Sequence, residues 1–205
     1  MPTPNSPDQI RIVPANEASW EDLRAIFSSG DARRCLCQFF KLTNDEWRAL
    51  GVEGRADRLR EETRCGDSRA PSTSGLVAYW DGEPAGWCAV EPRAAYPRLM
   101  TMRVPWAGRA EDKDDGGVWA VTCFVVRRGY RRRGIATALA GAAVDFARER
   151  GARAVEGYPK ITGPADAGRV DAASLYVGSR NLFAAAGFRE VSRPTPRRAV
   201  MRVDV

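Results

Sequence analysis

Residues Val118 to Gly151, VWAVTCFVVRRGYRRRGIATALAGAAVDFARERG, constrain the fold more than any other stretch. The run Val118 to Val126 is apolar, short and β-branched, as a buried strand is. A turn rich in Arg and Gly follows it. Ile135, Leu139, Ala142, Ala143 and Phe146 then recur at spacings of four, three, one and three, which is one face of an α-helix. Gly151 closes that helix, with Arg148 and Arg150 in the last turn, where cations suit the dipole. The unit is strand, basic turn, helix.

A strand that enters a helix through such a turn points several unpaired backbone N–H groups at one spot, and with the helix dipole these favour an anion. Arg131, Arg132 and Arg133 add positive charge. Gly134 and Ala136 are small enough to let a ligand approach the backbone. The turn reads as a phosphate cradle, yet it matches neither GxxxxGK[ST] nor GxGxxG.

Arg131-x-x-Gly134-x-Ala136, set between a strand ending Val125-Val126 and a helix, resembles the Arg/Gln-x-x-Gly-x-Gly/Ala signature of the GNAT superfamily of acyl-CoA N-acyltransferases. Gly187-Phe188 near the C-terminus strengthens the likeness, which spans residues 74–203. The resemblance implies an α/β (α+β) fold: one domain over residues 10–205, a mixed central sheet with two splayed parallel strands, and a helix-rich N-terminal region. It implies acetyl-CoA as acyl donor. The N–H groups of Arg132, Arg133, Gly134, Ile135, Ala136 and Thr137 would hold the diphosphate, with the Arg131 to Arg133 side chains beside it. The backbone of Phe124, Val125 and Val126 would pair with the pantetheine arm, and an N–H there would polarise the thioester carbonyl.

Acetyl transfer to an amine also needs a base and an acid. The chain has no His, so the base is a carboxylate, a thiol, a Tyr or a relayed water. The central strand offers Thr122 and Cys123 but no acid. Glu156, on the next strand, is the first carboxylate candidate, and burial would raise its pKa toward neutrality. A surface carboxylate or a pair with Arg153 is the plainer alternative. Glu91, at the end of a hairpin arm, is the second candidate. The family pattern Tyr-x-x-x-Gly-Phe has Phe183 at its Tyr position here, and Phe donates no proton. Tyr176 or Ser179 would supply the acid instead, or the thiolate leaves to water. With no His to activate it, Cys123 reads as a buried strand thiol rather than a nucleophile.

The rest of the sequence sets bounds. At 205 residues the chain is long enough for a real core. It has no apolar run long enough for a membrane span and no signal-like N-terminus. Five Cys without a zinc-like CxxC pair suggest buried thiols in a reducing cytoplasm and no metal site. Net charge is +6, but of 32 basic residues only Lys41, Lys113 and Lys160 are lysines. That bias matches base composition more than nucleic-acid binding, and no aromatic-and-basic stripe supports stacking on bases. The expected partner is a small-molecule or peptide amine, which Glu91, Glu156, Asp166 and Asp171 could attract; a homodimer is compatible with this reading. Two alternatives stand beside an enzyme: a non-catalytic acyl-CoA-binding sensor, and a phosphate-binding RNA or nucleotide protein.

Along the chain, residues 1–9 read as a disordered tail and 10–13 as a first strand. A helix capped by Asn16 would run to Ser28. A second, from Asp31, would carry Cys35, Leu36, Phe39, Phe40 and Leu42, and helices at 43–50 and 52–65 would follow. Phe39, Phe40 and Trp47 are candidates for an acceptor-pocket wall. Residues 75–80 and 85–90 form a hairpin about Asp81-Gly82, and 103–117 reads as a mobile surface loop. A strand at 152–158 would lie parallel to the central one. A loop at 159–168, a short helix at 179–186 and a final hairpin at 188–191 and 200–203 complete the chain.

Overall fold

The computed structural model describes residues 9–163 and 175–205. Strand β1 (Ile10–Pro14) leads into a helical region of α1 (Trp20–Ile26), α2 (Ala32–Cys35), α3 (Asn44–Ala49) and α4 (Val52–Thr63). Then come β2 (Leu76–Trp80), β3 (Glu83–Pro92), α5 (Pro97–Thr101), β4 (Val118–Val126), α6 (Ile135–Arg148), β5 (Ala154–Gly157), α7 (Arg180–Ala185), β6 (Arg189–Thr195) and β7 (Arg198–Asp204). The strands form one mixed seven-stranded sheet in the order β1-β2-β3-β4-β5-β7-β6. Among the described strands only β4 and β5 are parallel neighbours, and α6 is the crossover between them. Asp81 and Gly82, at φ 50° and 83°, make the two-residue turn from β2 to β3. Both are left-handed, as the turn that matches strand twist requires.

Apolar clusters cover both faces of the sheet. On one face α6 and α7 cover Cys88, Val90, Val121 and Phe124; on the other the N-terminal helices cover Val77, Trp87, Ala89 and Cys123. The α6 face is the one its apolar spacing predicts. Gly86 lies directly beneath it: a Cβ there would come within 2.9 Å of Ile135 Cγ2, so only glycine lets the helix sit this close to β3.

Two irregularities in β4 position the site. Its pairing with β5 ends at Val121↔Gly157, whereas its pairing with β3 continues to Val126↔Gly86. The parallel strands therefore part beyond Val121. Against β3 the register jumps from Val90↔Val121 to Ala89↔Cys123, which makes Thr122 the extra residue of a bulge. The bulge breaks alternation, so Cys123 turns toward the N-terminal helices and Thr122 toward Tyr96.

Several expectations need correction. Helix α1 starts after Ser19, not Asn16. Ser19 Oγ accepts the Asp22 N–H at 3.0 Å while Asp22 accepts the Ser19 N–H at 3.2 Å, a reciprocal box that out-competes a lone Asn. The helix from Asp31 stops after one turn, because Leu36 and Cys37 are left-handed at φ 50° and 53°. Residues 103–117 are not free on the surface. Trp106 Nε1 donates to the Leu99 carbonyl at 2.7 Å, Arg93 stacks 4.7 Å beneath the Trp106 ring, and Arg109 reaches inward to Glu156. The expected tail, apart from Gln9, and much of the 159–168 loop lie outside the described residues.

Candidate active site

The N-terminus of α6 is capped by no side chain. Ala138 is the first residue whose N–H finds an intrahelical acceptor, Gly134 O at 2.9 Å. The N–H groups of Ile135, Ala136 and Thr137 are the orphan donors every helix start leaves. Gly134, at φ 80°, turns the chain into the helix; a Cβ there would meet nothing, so the space before the donors is open. Arg132 is also left-handed at φ 60°, and residues 131–134 are exposed. Arg131 Nε donates to Val126 O at 3.2 Å and ties the turn to the end of β4. Arg133 lies 4.9 Å over the Trp80 ring and 5.8 Å from that of Tyr130, which supports it from one side. The predicted cradle residues thus adjoin at one corner, exposed over residues 131–134 and partly covered at Ala136 and Thr137, with the Ile135 side chain in the core.

The gap between β4 and β5 begins next to that corner. Residues alternate their hydrogen-bonding direction along a strand. Phe124 N–H points into the gap, where it donates to Tyr176 O at 2.6 Å. Val126 N–H, two residues on, points the same way. Of the Phe124 to Val126 backbone expected to pair with the arm, the Phe124 N–H is therefore already satisfied by the Tyr176 carbonyl. Val125 pairs with Trp87 of β3 and faces the N-terminal helices. Phe183 is fully buried beside the gap. Its ring contacts Phe124 and Phe188 at 5.7 and 5.0 Å, and it lies so close to Gly157 that a Cβ there would fall 2.3 Å from it.

Glu91 faces the N-terminal side of the sheet. Its carboxylate accepts from Ser74 Oγ at 2.5 Å and pairs with Lys41. Burial pushes this carboxyl above the usual range, and the Lys41 ammonium and the Ser74 hydroxyl only partly offset that. Lys41 is shared with Glu62, 3.5 Å away. Tyr96 and Thr122 lie alongside, and their buried hydroxyls face each other and reach no further partner among the described residues. Two hydroxyls with no partner beyond each other, beside a carboxylate of raised pKa, are groups that a bound water or a substrate amine would satisfy. Lys41, Ser74 and Tyr96 were not legible as site residues; only folding gathers them.

Glu156 has the opposite surroundings. It is wholly buried, and burial alone would raise its pKa, but the net direction is downward. Arg109 grips it, Arg202 lies 3.2 Å and Arg93 3.4 Å away, and the Tyr158 hydroxyl donates at 3.0 Å. The expected raised pKa is corrected: an arginine cage outweighs desolvation. Arg153, the partner considered from sequence, pairs instead with Asp115 at 2.7 Å. Neither Glu91 nor Glu156 is a free acid that could draw in a cationic amine, and Asp166 and Asp171 lie outside the described residues.

Tyr176 is half-buried, with its ring 6.3 Å from that of Phe40. Burial and the nearby Cys123 keep its hydroxyl protonated above the ordinary range. Phe39 stacks edge-on to Phe40 at 5.1 Å and to Trp47 at 5.8 Å. The three expected wall aromatics therefore form one continuous row that ends at Tyr176. Ser179 caps α7 by accepting the Leu182 N–H at 3.2 Å, so its hydroxyl has a structural task.

The model of the acetyltransferase (GNAT) family matches residues 37–159. A comparison with curated proteins gives no match. Among solved structures, the chain resembles yncA, a putative acetyltransferase from Salmonella typhimurium solved with acetyl-CoA. That pair has a TM-score of 0.52 and 14% identity over 96% of this chain and 94% of the other. The aminoglycoside acetyltransferase AAC(6')-Ib, solved with coenzyme A and kanamycin, gives a TM-score of 0.51 and 15% identity over 95% and 94%. A ribosomal-protein-alanine N-acetyltransferase from Brucella melitensis gives 0.51 and 17% over 96% and 99%. At these identities the likeness is one of fold.

Proposed function

The chain belongs to the acetyltransferase (GNAT) family, and from that premise we propose that it transfers an acetyl group from acetyl-CoA to an amine by direct attack. The observation that carries this reading is the uncapped start of α6 behind an exposed turn, placed directly beyond a β4 that parts from β5. An anionic diphosphate suits those donors and the Arg131 to Arg133 side chains. The thioester arm would enter where the strands part, beside Val126, whose N–H would polarise its carbonyl.

Within this reading Glu91 is the base. It would take the proton of the attacking amine through a water held by the Tyr96 and Thr122 hydroxyls, which among the described residues have only each other. Its raised pKa brings it nearer the working pH than an ordinary carboxylate. Tyr176 would give its proton to the departing thiolate, in place of the Tyr that Phe183 replaces. Glu156 has no part in proton transfer; it anchors the arginines that hold residues 103–117. The acceptor is an amine on a small molecule or a peptide, reached along the Phe39–Phe40–Trp47 wall.

The occupied Phe124 amide and the absence of the usual Tyr favour one second reading, an acyl-CoA-binding sensor of the same fold. Free thiol measured with acetyl-CoA and a panel of amines separates the two. Amine-dependent thiol release supports transfer; tight binding of acetyl-CoA with no release from any amine supports the sensor.

A further inference from the structure

Five cysteines are free in this chain, and they are not scattered at random. Cys37 Sγ lies 2.7 Å from Cys123 Sγ, although the two residues are 86 apart in sequence. Both are buried, at 6% and 5% exposure. Non-bonded heavy atoms settle at about 3.5–4.0 Å for carbon, and sulfur is larger, so this approach is closer than packing alone would choose. The backbone is arranged to produce it. Leu36 and Cys37 are consecutive left-handed, non-glycine residues, and this turn ends α2 and aims Cys37 at the sheet. Opposite it, the bulge at Thr122 rotates Cys123 to the same face. Two unusual backbone features therefore converge on one sulfur–sulfur contact.

We propose that Cys37 and Cys123 are a modification site: a dithiol that a peroxide converts to a reversible disulfide. The Cys37 sulfur, as thiolate, attacks one peroxide oxygen and breaks the O–O bond, giving a sulfenic acid and hydroxide that is protonated to water. The Cys123 sulfur then attacks the Cys37 sulfur. The S–O bond breaks, and the hydroxide leaves as water with the Cys123 proton. Two thiols lose two electrons, and one peroxide becomes two waters. Burial raises the Cys37 thiol pKa, so the reaction draws on a small thiolate fraction and quickens as pH rises. Cys35, partly exposed and two residues earlier, has its thiol pushed up to about 11 by burial; it is not the bonding partner, because the left-handed turn gives Cys37 the contact.

The bridge would pin the turn that leads into Phe39 and Phe40 to the strand beside Tyr176. That consequence rests on the transfer reading, but the bridge itself does not. The test is the intact mass of the folded protein after hydrogen peroxide and removal of excess reagent. The expected result is a loss equal to two hydrogens, reversed by dithiothreitol, with the Cys123 tryptic peptide cross-linked to the peptide 35–41. That peptide holds both Cys35 and Cys37, so Cys35→Ser decides between them: it keeps the cross-link, and Cys37→Ser abolishes it. Added oxygen atoms without a cross-link in the wild-type protein, a bridge that Cys35→Ser removes, or no mass change would each overturn the proposal.

Discussion

Glu91 on β3 and Glu156 on β5 both stand opposite Ala120 of β4, on one face of the sheet, and their surroundings push the two carboxyls in opposite directions. Glu91 has one ammonium and one hydroxyl for a partner and is dominated by desolvation. Glu156 has three arginines. Position in the sheet is nearly equivalent, so the opposite directions come from what each strand's loops deliver. Residues 103–117 deliver Arg109 to one, and the α2–α3 turn delivers Lys41 to the other.

Glu91→Gln removes the proposed base while keeping shape and the Ser74 contact. The expected loss is about 10²-fold or more in kcat, since removing one acid or base typically costs ~10²–10⁴. The wild-type rate should rise with pH as Glu91 ionises, above the ordinary carboxylate range, and the variant should lose that limb. Steady-state kinetics across pH check it. An unchanged pH profile would move the base elsewhere.

Glu156→Gln should act on stability rather than on chemistry. It leaves Arg93, which is fully buried, and Arg109 short of a counter-charge, and breaking a buried pair from one side costs about 3–5 kcal/mol. Urea unfolding measures this. Because the folded pKa is depressed, the stabilisation is complete above the unfolded carboxylate pKa and is lost as pH falls through the lower folded value. Wild type and variant should therefore converge in stability in acid.

Tyr176→Phe keeps the ring against Phe40 and the carbonyl on Phe124 N–H while deleting the hydroxyl. The account expects kcat to fall by about 10²-fold, with the affinity for acetyl-CoA unchanged. Equal loss in affinity and rate would indicate a wall residue instead of an acid.

Gly134→Ala places a Cβ in open space but on a left-handed backbone, which costs roughly 1–2 kcal/mol. The turn should relax and misalign the α6 donors, so coenzyme A binding should weaken by about tenfold, equivalent to 1.4 kcal/mol. Calorimetric titration reads this directly, and wild-type affinity in the variant would count against the cradle.

The strand–turn–helix unit was legible because it is local: periodicity marked α6, and Arg and Gly marked its start. The family likeness supplied the sheet. What sequence concealed was set by tertiary company. Nothing in the run Glu91-Pro92-Arg93 reveals that Glu91 meets Lys41, fifty residues away, or that Arg93 turns inward beneath Trp106. Glu156 looked like a base because desolvation can be guessed from an apolar strand, whereas three arginines from three separate segments cannot. The short α2 was missed because apolar spacing continues through Leu36 and Phe40 while the backbone breaks at Leu36 and Cys37.

The central claim is that main-chain donors at the start of α6 hold a diphosphate, and a crystal structure with bound coenzyme A tests it most directly. The account predicts diphosphate oxygens within hydrogen-bonding distance of the Gly134, Ile135, Ala136 and Thr137 amides, and the thiol end in the opening between β4 and β5 beside Val126. A diphosphate bound by side chains at another surface, with those amides facing only solvent, would contradict it.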